Sequence, residues 1–320
     1  MPDYSKAFYS CSEVNPQCPV EATVLGYYPN LGANITLAIG FGVCAIATAA
    51  LGIWKKTWSY TAAVSLGCAL EAAGYVGRIK LHSNPWNSGA FELQMVVIIL
   101  APALLCISIY LTLKHLCLSL NPSLSRVSPS LYPFIFVPLD VCCLAVQAIG
   151  GGLAAVAAPR HDTGLLGHGN RTIIAGISLQ VLVLAFFGAL AADYFWRAYR
   201  YIKSENPSPD ALALWRDGKV RFFCYAVAFA YLGILIRCTY RIAEMAGGWG
   251  NPVMRDEPSF IVLEGFMILL PAIALAAFPP GFLFPTMASR MSEGVVFHWQ
   301  KFQKRRAQAA EARVAAENEK

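Results

Sequence analysis

The sequence predicts an all-α, polytopic membrane protein: a bundle of seven transmembrane helices with the N-terminus outside and the C-terminus cytoplasmic. Three observations predict it. The 320-residue chain is 57% hydrophobic and 14% charged, whereas about a quarter of an ordinary soluble domain is charged. Its apolar residues gather into windows of about 20, the length that crosses a hydrocarbon core as a helix. Lysine and arginine concentrate on alternate connections, and basic residues collect on the cytoplasmic face of a membrane.

Taken in order, the expected spans are 32–54, 58–79, 90–114, 131–157, 172–196, 219–241 and 258–280. The external segment 1–31 is polar, with Asp3, Glu13 and Glu21, and lacks the basic start and short apolar core of a cleavable signal. The first span is therefore expected to act as its own insertion signal. Connections 55–57, 114–130 and 197–221, together with the tail, hold 17 of the 25 lysines and arginines. The net charge of +6 is thus an asymmetry facing the membrane. Membrane lipids are the implied partners, and nothing points to nucleic acid. Cys11 and Cys18 in the external segment either close a small disulfide loop or remain thiols. The other cysteines fall in or beside spans, where they read as small apolar packing residues.

The connections are expected to be short, with "HSNPWNSG" (82–89) a turn, "HDTGLLGH" (161–168) an external loop and "SENPSPD" (204–210) an exposed cytoplasmic linker. The basic tail 281–320 differs. From Ser292, the spacing of Val295, Trp299 and Phe302 gives one apolar helical face, with Lys301, Lys304, Arg305 and Arg306 on the rest, as in a helix lying on the inner leaflet. The tail and the 197–221 connection are the expected places for a cytoplasmic protein partner.

The charges inside spans carry the functional question. A charged group at mid-bilayer costs about 2.5–3.5 kcal/mol on insertion scales, so it turns toward protein, water or a partner. In "LEAAGYVGR" (70–78), Glu71 and Arg78 share a helical face with Gly67 and Gly74. The sixth span repeats the spacing with Gly233, Arg237, Tyr240 and Glu244, and adds Arg241 beside that stripe. Counting ~1.5 Å per residue, Arg78, Glu92, Arg237, Arg241, Glu244 and Glu264 fall in the outer part of the bundle. Glu71, Asp140 and Gln147 fall nearer the middle. Neighbouring spans suggest Arg78 with Glu92 and Arg237 with Glu264, which leaves Glu71 and Asp140 without an obvious cation. Such a carboxylate either holds a proton or awaits a cationic ligand. The competing expectation is a buried polar network that fixes helix register. Pro102, Pro138, Pro271 and Gly150–Gly152 interrupt regular spans as kinks, packing devices or cavity-lining backbone.

Several chemistries are disfavoured. His82, His161, His168 and His298 fall in expected loops or the tail and His115 at a cytoplasmic end, so no intramembrane metal site is expected. The seventh span has no lysine for a retinal Schiff base, and no glycine-rich phosphate loop occurs. No catalytic residue, metal or cofactor is expected, and the protein is not read as an enzyme.

The motifs "YYPNLGANI", "LEAAGYVGR", "LAPALLCISIYLTL", "LDVCCLAVQAIGGGL", "LIRCTYRIAEMAGG" and "FPPG", in this order, resemble the fungal lipid-translocating exporter family, also called the resistance-to-aminocholesterol-like family. The resemblance spans roughly residues 27 to 285. Two positions depart from it: Glu264 stands where the family usually shows aspartate, and Asp256-Glu257 where it shows a His-Glu pair. The resemblance implies a seven-span protein of the plasma membrane, or of an endomembrane or vacuole. It implies export or transbilayer movement of amphipathic lipids such as sphingoid long-chain bases, and tolerance of toxic lipids or drugs. On physical grounds Glu71, Asp140 and Glu264 would meet a polar, amine-bearing headgroup, while Gln147 and Tyr240 supply hydrogen bonds. Arg78, Glu92, Arg237, Arg241 and Glu244 would form structural or vestibule ion pairs. The alternative is a seven-span receptor or stress sensor that acts on lipid asymmetry indirectly.

Overall fold

A computed structural model describes residues 11–160, 162–204 and 209–277, and every regular element in them is helical. Helix α1 (Leu31–Lys55) starts at Asn30, whose side chain accepts from Ala33 N at 3.0 Å, and stops where Lys56 turns left-handed at φ 57°. It is followed by α2 (Trp58–Ser83) and by α3 (Ser88–Leu120), which Asn87 caps. Next come α4 (Leu131–Arg160), α5 (Thr163–Ile202, capped by Asp162), α6 (Pro209–Arg216) and α7 (Gly218–Ala246, capped by Asp217). The last helical run contains α8 (Glu257–Phe260), a π-helical turn (Ile261–Phe266) and α9 (Met267–Ala277).

Sequential helices pair: α1 with α2, α2 with α3, and α4 with α5. Helix α9 packs on both α7 and α1, so the last element closes back onto the first. Close approach has identifiable causes. A side chain at Gly67 would meet Leu105 and the Ala101 carbonyl of α3, and one at Gly233 would lie 2.7 Å from the Met267 carbonyl. These two glycines let α2 reach α3 and α7 reach the start of α9. An aromatic knot of Tyr110, Tyr132, Phe136 and Phe187 fills the space between α3, α4 and α5.

Among the described residues six helices are long and apolar enough to cross a membrane: Leu31–Lys55, Ser88–Leu120, Leu131–Ala157, Thr163–Ile202, Gly218–Ala246 and Glu257–Ala277. Large apolar side chains such as Ile46, Phe134, Leu182 and Phe186 stand on their outer surfaces, as a hydrocarbon solvent permits. Helix α2 has the length, at 26 residues, but Glu71, Arg78 and Lys80 lower its apolarity. Its position between α1 and α3 buries Glu71 and Arg78.

Three expectations about the elements need correction. The "HDTGLLGH" stretch is not a loop from residue 163 onward, because Asp162 accepts from Leu165 N at 2.9 Å and starts α5 nine residues earlier than the apolar window. His168 therefore lies in a helix, while His161 is outside the described residues. The 197–221 connection is not open chain throughout, and residues 205–208 of the expected linker lie outside the described residues. Helix α5 runs to Ile202, and α6 docks with Ala211 buried and Leu214 and Trp215 against the core. Helix α3 extends to Leu120, six residues past its expected end, because its final turns still have packing partners at Leu116, Cys117 and Leu120. The seventh window's residues 278–280, the "FPPG" motif and the tail helix expected from Ser292 lie outside the described residues.

The N-terminal segment is laced across one end of the bundle. Cys11 and Cys18 are joined by a disulfide. Asn84 Nδ2 donates to the Ser12 carbonyl at 2.9 Å and Trp86 Nε1 to the Cys18 carbonyl at 3.2 Å. A His82 ring nitrogen lies 2.8 Å from the Pro29 carbonyl, and Asn30 N donates to Glu257 Oε1 at 2.6 Å. Arg255 reaches the carbonyls of Glu21 and Thr23. At the opposite end Arg126 and Arg197 share Asp193 at 2.9 and 3.0 Å, with Arg126 largely exposed.

Candidate functional site

The polar residues of α2, α7 and the π turn meet inside the bundle, beneath the laced end. Each arrives there for a local reason. Glu71, Tyr75 and Arg78 follow one face of α2 at helical spacing, and all three are buried. Arg237, Arg241 and Glu244 do the same on α7, with Tyr240 beside them. Glu264 sits in the π turn. A π turn inserts one residue more than an α turn and re-aims the side chains it carries.

Two ion pairs organise this cluster. Arg237 Nη2 donates to Glu264 Oε1 at 2.7 Å, and Arg241 Nη1 to Glu244 Oε2 at 2.6 Å. Arg241 also lies 3.9 Å from Glu264 Oε1. Arg237 makes a further bond to the Ile98 carbonyl of α3. That carbonyl is available because Pro102, four residues on, has no N–H to return to it. The proline is therefore a docking point for a buried guanidinium, a use more specific than a kink.

Glu71 is different. It is fully enclosed, it lies within electrostatic reach of Arg237, Glu264 and Arg241, and neither of its oxygens has a hydrogen-bond partner among the described residues. The Tyr75 and Tyr240 hydroxyls, Arg237 Nε, one Arg241 amine and Glu264 Oε2 are likewise buried and unpartnered there. Buried polar atoms are usually satisfied, so such a concentration sets this cluster apart from an ordinary folded interior.

Arg78 forms a second network toward the N-terminal strap. It donates to Asn34 Oδ1 at 3.1 Å, Gln94 Oε1 at 3.4 Å and Tyr27 Oη at 3.0 Å. It lies over the Phe260 ring at 4.0 Å and 3.7 Å from Glu257 Oε1. Burial pushes the Tyr27 phenol above its ordinary value against the pull of Arg78, so Tyr27 caps this guanidinium as a neutral hydroxyl. The expected Arg78–Glu92 pair is absent: Glu92 is exposed on α3, and the residue facing Arg78 is Gln94. At ~100° per residue two positions rotate a side chain to the far surface. The acid comes instead from Glu257, far away in sequence.

Asp140 stands apart from the main cluster. It accepts from Tyr110 Oη at 2.9 Å, with Cys106 and Cys238 within electrostatic reach. Gln147 donates to Gln180 at 2.9 Å between α4 and α5. The structure thus unites Glu71, Glu264, Arg237, Arg241 and Glu244, with Tyr240 at the edge, and separates Asp140 and Gln147 from them. Sequence reasoning missed Tyr75, Asn34, Gln94, Gln180, Tyr110 and Tyr27. Tyr75 follows Glu71 by one turn, and Gln94 and Gln180 are single amides within apolar runs, so these three carried a readable signal. Among the described residues no group of His, Cys, Asp or Glu side chains is arranged to hold a metal ion.

Comparison with known proteins agrees in kind. The family described as RTA1 like protein matches residues 64–287. The chain is 32% identical over 284 residues to the Saccharomyces cerevisiae sphingoid long-chain base transporter RSB1, covering 81% of this chain and 74% of that protein. It is 28% identical over 214 residues to the protoporphyrin uptake protein 1 of the same yeast, covering 66% and 65% of the two chains. It is 27% identical over 222 residues to the yeast protein RTM1, with 68% and 67% covered. No solved structure matches.

Proposed function

Because the chain belongs to the RTA1-like family of multi-pass membrane proteins, we propose that it promotes the export or transbilayer movement of amphipathic lipids whose headgroup carries an amine, sphingoid long-chain bases among them. The observation that supports this reading is the enclosed cluster around Glu71. A cationic headgroup crossing a bilayer loses its water, and a site that replaces that water with a carboxylate and hydroxyls lowers the barrier. Glu71 and Glu264 offer acceptors, Tyr75 and Tyr240 offer hydroxyls, and the acyl chain stays among the apolar outer surfaces of the helices. Asp140 would serve as a second acidic station on the α4 side.

The membrane arrangement belongs to the same proposal. Helix α2 is the additional crossing, making seven, with residues 1–31 outside and the basic tail 281–320 on the cytoplasmic leaflet. In a plasma membrane this orientation presents the basic connections to the anionic inner surface.

The test is movement of a fluorescent sphingoid base across vesicles containing the purified full chain. We expect transfer above that of protein-free vesicles. Glu71→Gln combined with Asp140→Asn should slow it about tenfold or more, the consequence of losing ~1.4 kcal/mol of transition-state stabilisation. Transfer no faster than in empty vesicles would remove the lipid-moving reading, and an unchanged rate in the double variant would remove these two acids from it.

A further inference from the structure

The formal charges of the cluster do not cancel. Arg237 and Arg241 face three carboxylates, Glu244, Glu264 and Glu71. The neighbouring Arg78 is matched by Glu257 and contributes no spare charge. Glu244 and Glu264 each hold an ion pair, so the surplus acid is Glu71, whose oxygens are both buried and unpartnered. An isolated carboxylate enclosed in a bundle is neutralised by a proton or by a cation. There is one negative charge to neutralise, so the two compete.

We propose that Glu71 is an exchange site at which one proton is traded for one long-chain ammonium. The step balances: the Glu71 acid loses its proton to water as the ammonium arrives, and the carboxylate–ammonium pair takes the place of the O–H bond. One positive charge leaves for each one that enters, and the charge of the cluster stays constant. The inference rests on the proposed lipid reading only for the choice of a long-chain amine as the cation. It goes beyond that reading by coupling the amine to a proton in the opposite direction.

The surroundings of Glu71 are consistent with a single exchanging group. Tyr75 and Cys68 face it from α2, Arg237 and Arg241 from α7 and Glu264 from the π turn. On the flanking helices the buried titratable side chains are Cys44 of α1, and Cys106, Tyr110, His115 and Cys117 of α3. None of these flanking groups adds a carboxylate that could share the role, and Glu264 is already engaged by Arg237 at 2.7 Å.

The experiment uses purified full-length protein in lipid nanodiscs, with dodecylamine as the probe and protein-free nanodiscs as the blank. Proton release is read with a pH dye in weak buffer, alongside saturable binding by calorimetry. We expect close to one proton released per amine bound. The apparent affinity should rise by up to about tenfold per pH unit while exchange operates, as linkage requires of a reaction that expels one proton. Glu71→Gln should abolish the release and flatten the pH dependence. Glu71→Asp should retain both, which separates the loss of the acid from the loss of the fold. Saturable binding with no proton released, release unchanged in Glu71→Gln, or no saturable binding above the blank would each overturn the exchange. Lipid movement measured on the same preparation keeps the two ideas apart. Movement without proton release leaves the lipid reading standing and removes this inference, whereas proton release without movement does the reverse.

Discussion

At the scale of single residues the structure turns on Arg237, which ties three helical segments together through Glu264, the Ile98 carbonyl and its place on α7. Removing one partner of a buried pair strands the other, at about 3–5 kcal/mol. Arg237→Met and Glu264→Gln should therefore each lower the thermal unfolding midpoint of the detergent-purified protein markedly. Pro102→Ala makes a sharper prediction. Proline in a helix interior ordinarily costs ~3 kcal/mol, so its removal should stabilise. Here the restored N–H competes with Arg237 for the Ile98 carbonyl, and we expect little or no gain in the same measurement; a gain approaching the ordinary value would show that the guanidinium contact is dispensable. This also shows what the sequence could reveal about the site. Arg237 and Glu264 were legible as a pair because each interrupts an apolar run on neighbouring spans. Two partners of Arg78 were not, since Tyr27 of the N-terminal segment and Glu257 at the start of α8 lie outside the apolar windows, and hydropathy does not encode where such residues fold back.

At the scale of elements, hydropathy located the middle of each long helix, missed the ends, and missed the short helix α6 altogether. Helix ends are set by caps and local contacts, such as Asp162 starting α5 and the core contacts of Leu116 and Leu120 extending α3. The π turn was invisible for a related reason. It conserves the apolar character of its segment and alters only the angular register, which places Glu264 against Arg237. The packing between α7 and α9 depends on Gly233, where any Cβ would crowd the Met267 carbonyl and Pro271. Gly233→Val should force the two elements apart at ~1–3 kcal/mol and weaken the Arg237–Glu264 contact that lies one turn away. A thermal midpoint equal to that of the parent protein would contradict this account of the interface.

For the whole molecule, the one ambiguous crossing is also the one that carries the acid of interest. Helix α2 is less apolar than its neighbours because Glu71 and Arg78 occupy its buried face, where α1, α3, α7 and the last helical run supply partners or electrostatic company. Its polarity follows from its role in the interior. If α2 crosses the bilayer, Lys55→Cys at the end of α1 and Ser88→Cys at the start of α3, which flank it, should react in a cysteine-depleted background with a membrane-impermeant thiol reagent from opposite sides of sealed vesicles. Reaction from one side would leave six crossings. The strap has a last consequence for how such a bundle works. Near Arg78 the end loops are stitched together by hydrogen bonds to Ser12, Cys18, Glu21, Thr23, Pro29 and Asn30 of the N-terminal segment. At the far end Arg126 reaches Asp193 of α5 as a largely exposed ion pair, and Arg197 meets the same acid from within α5, alongside the buried packing of α6. The molecule is tied like a boot at the Arg78 end, so severing that cord should free this end before the rest of the bundle loosens.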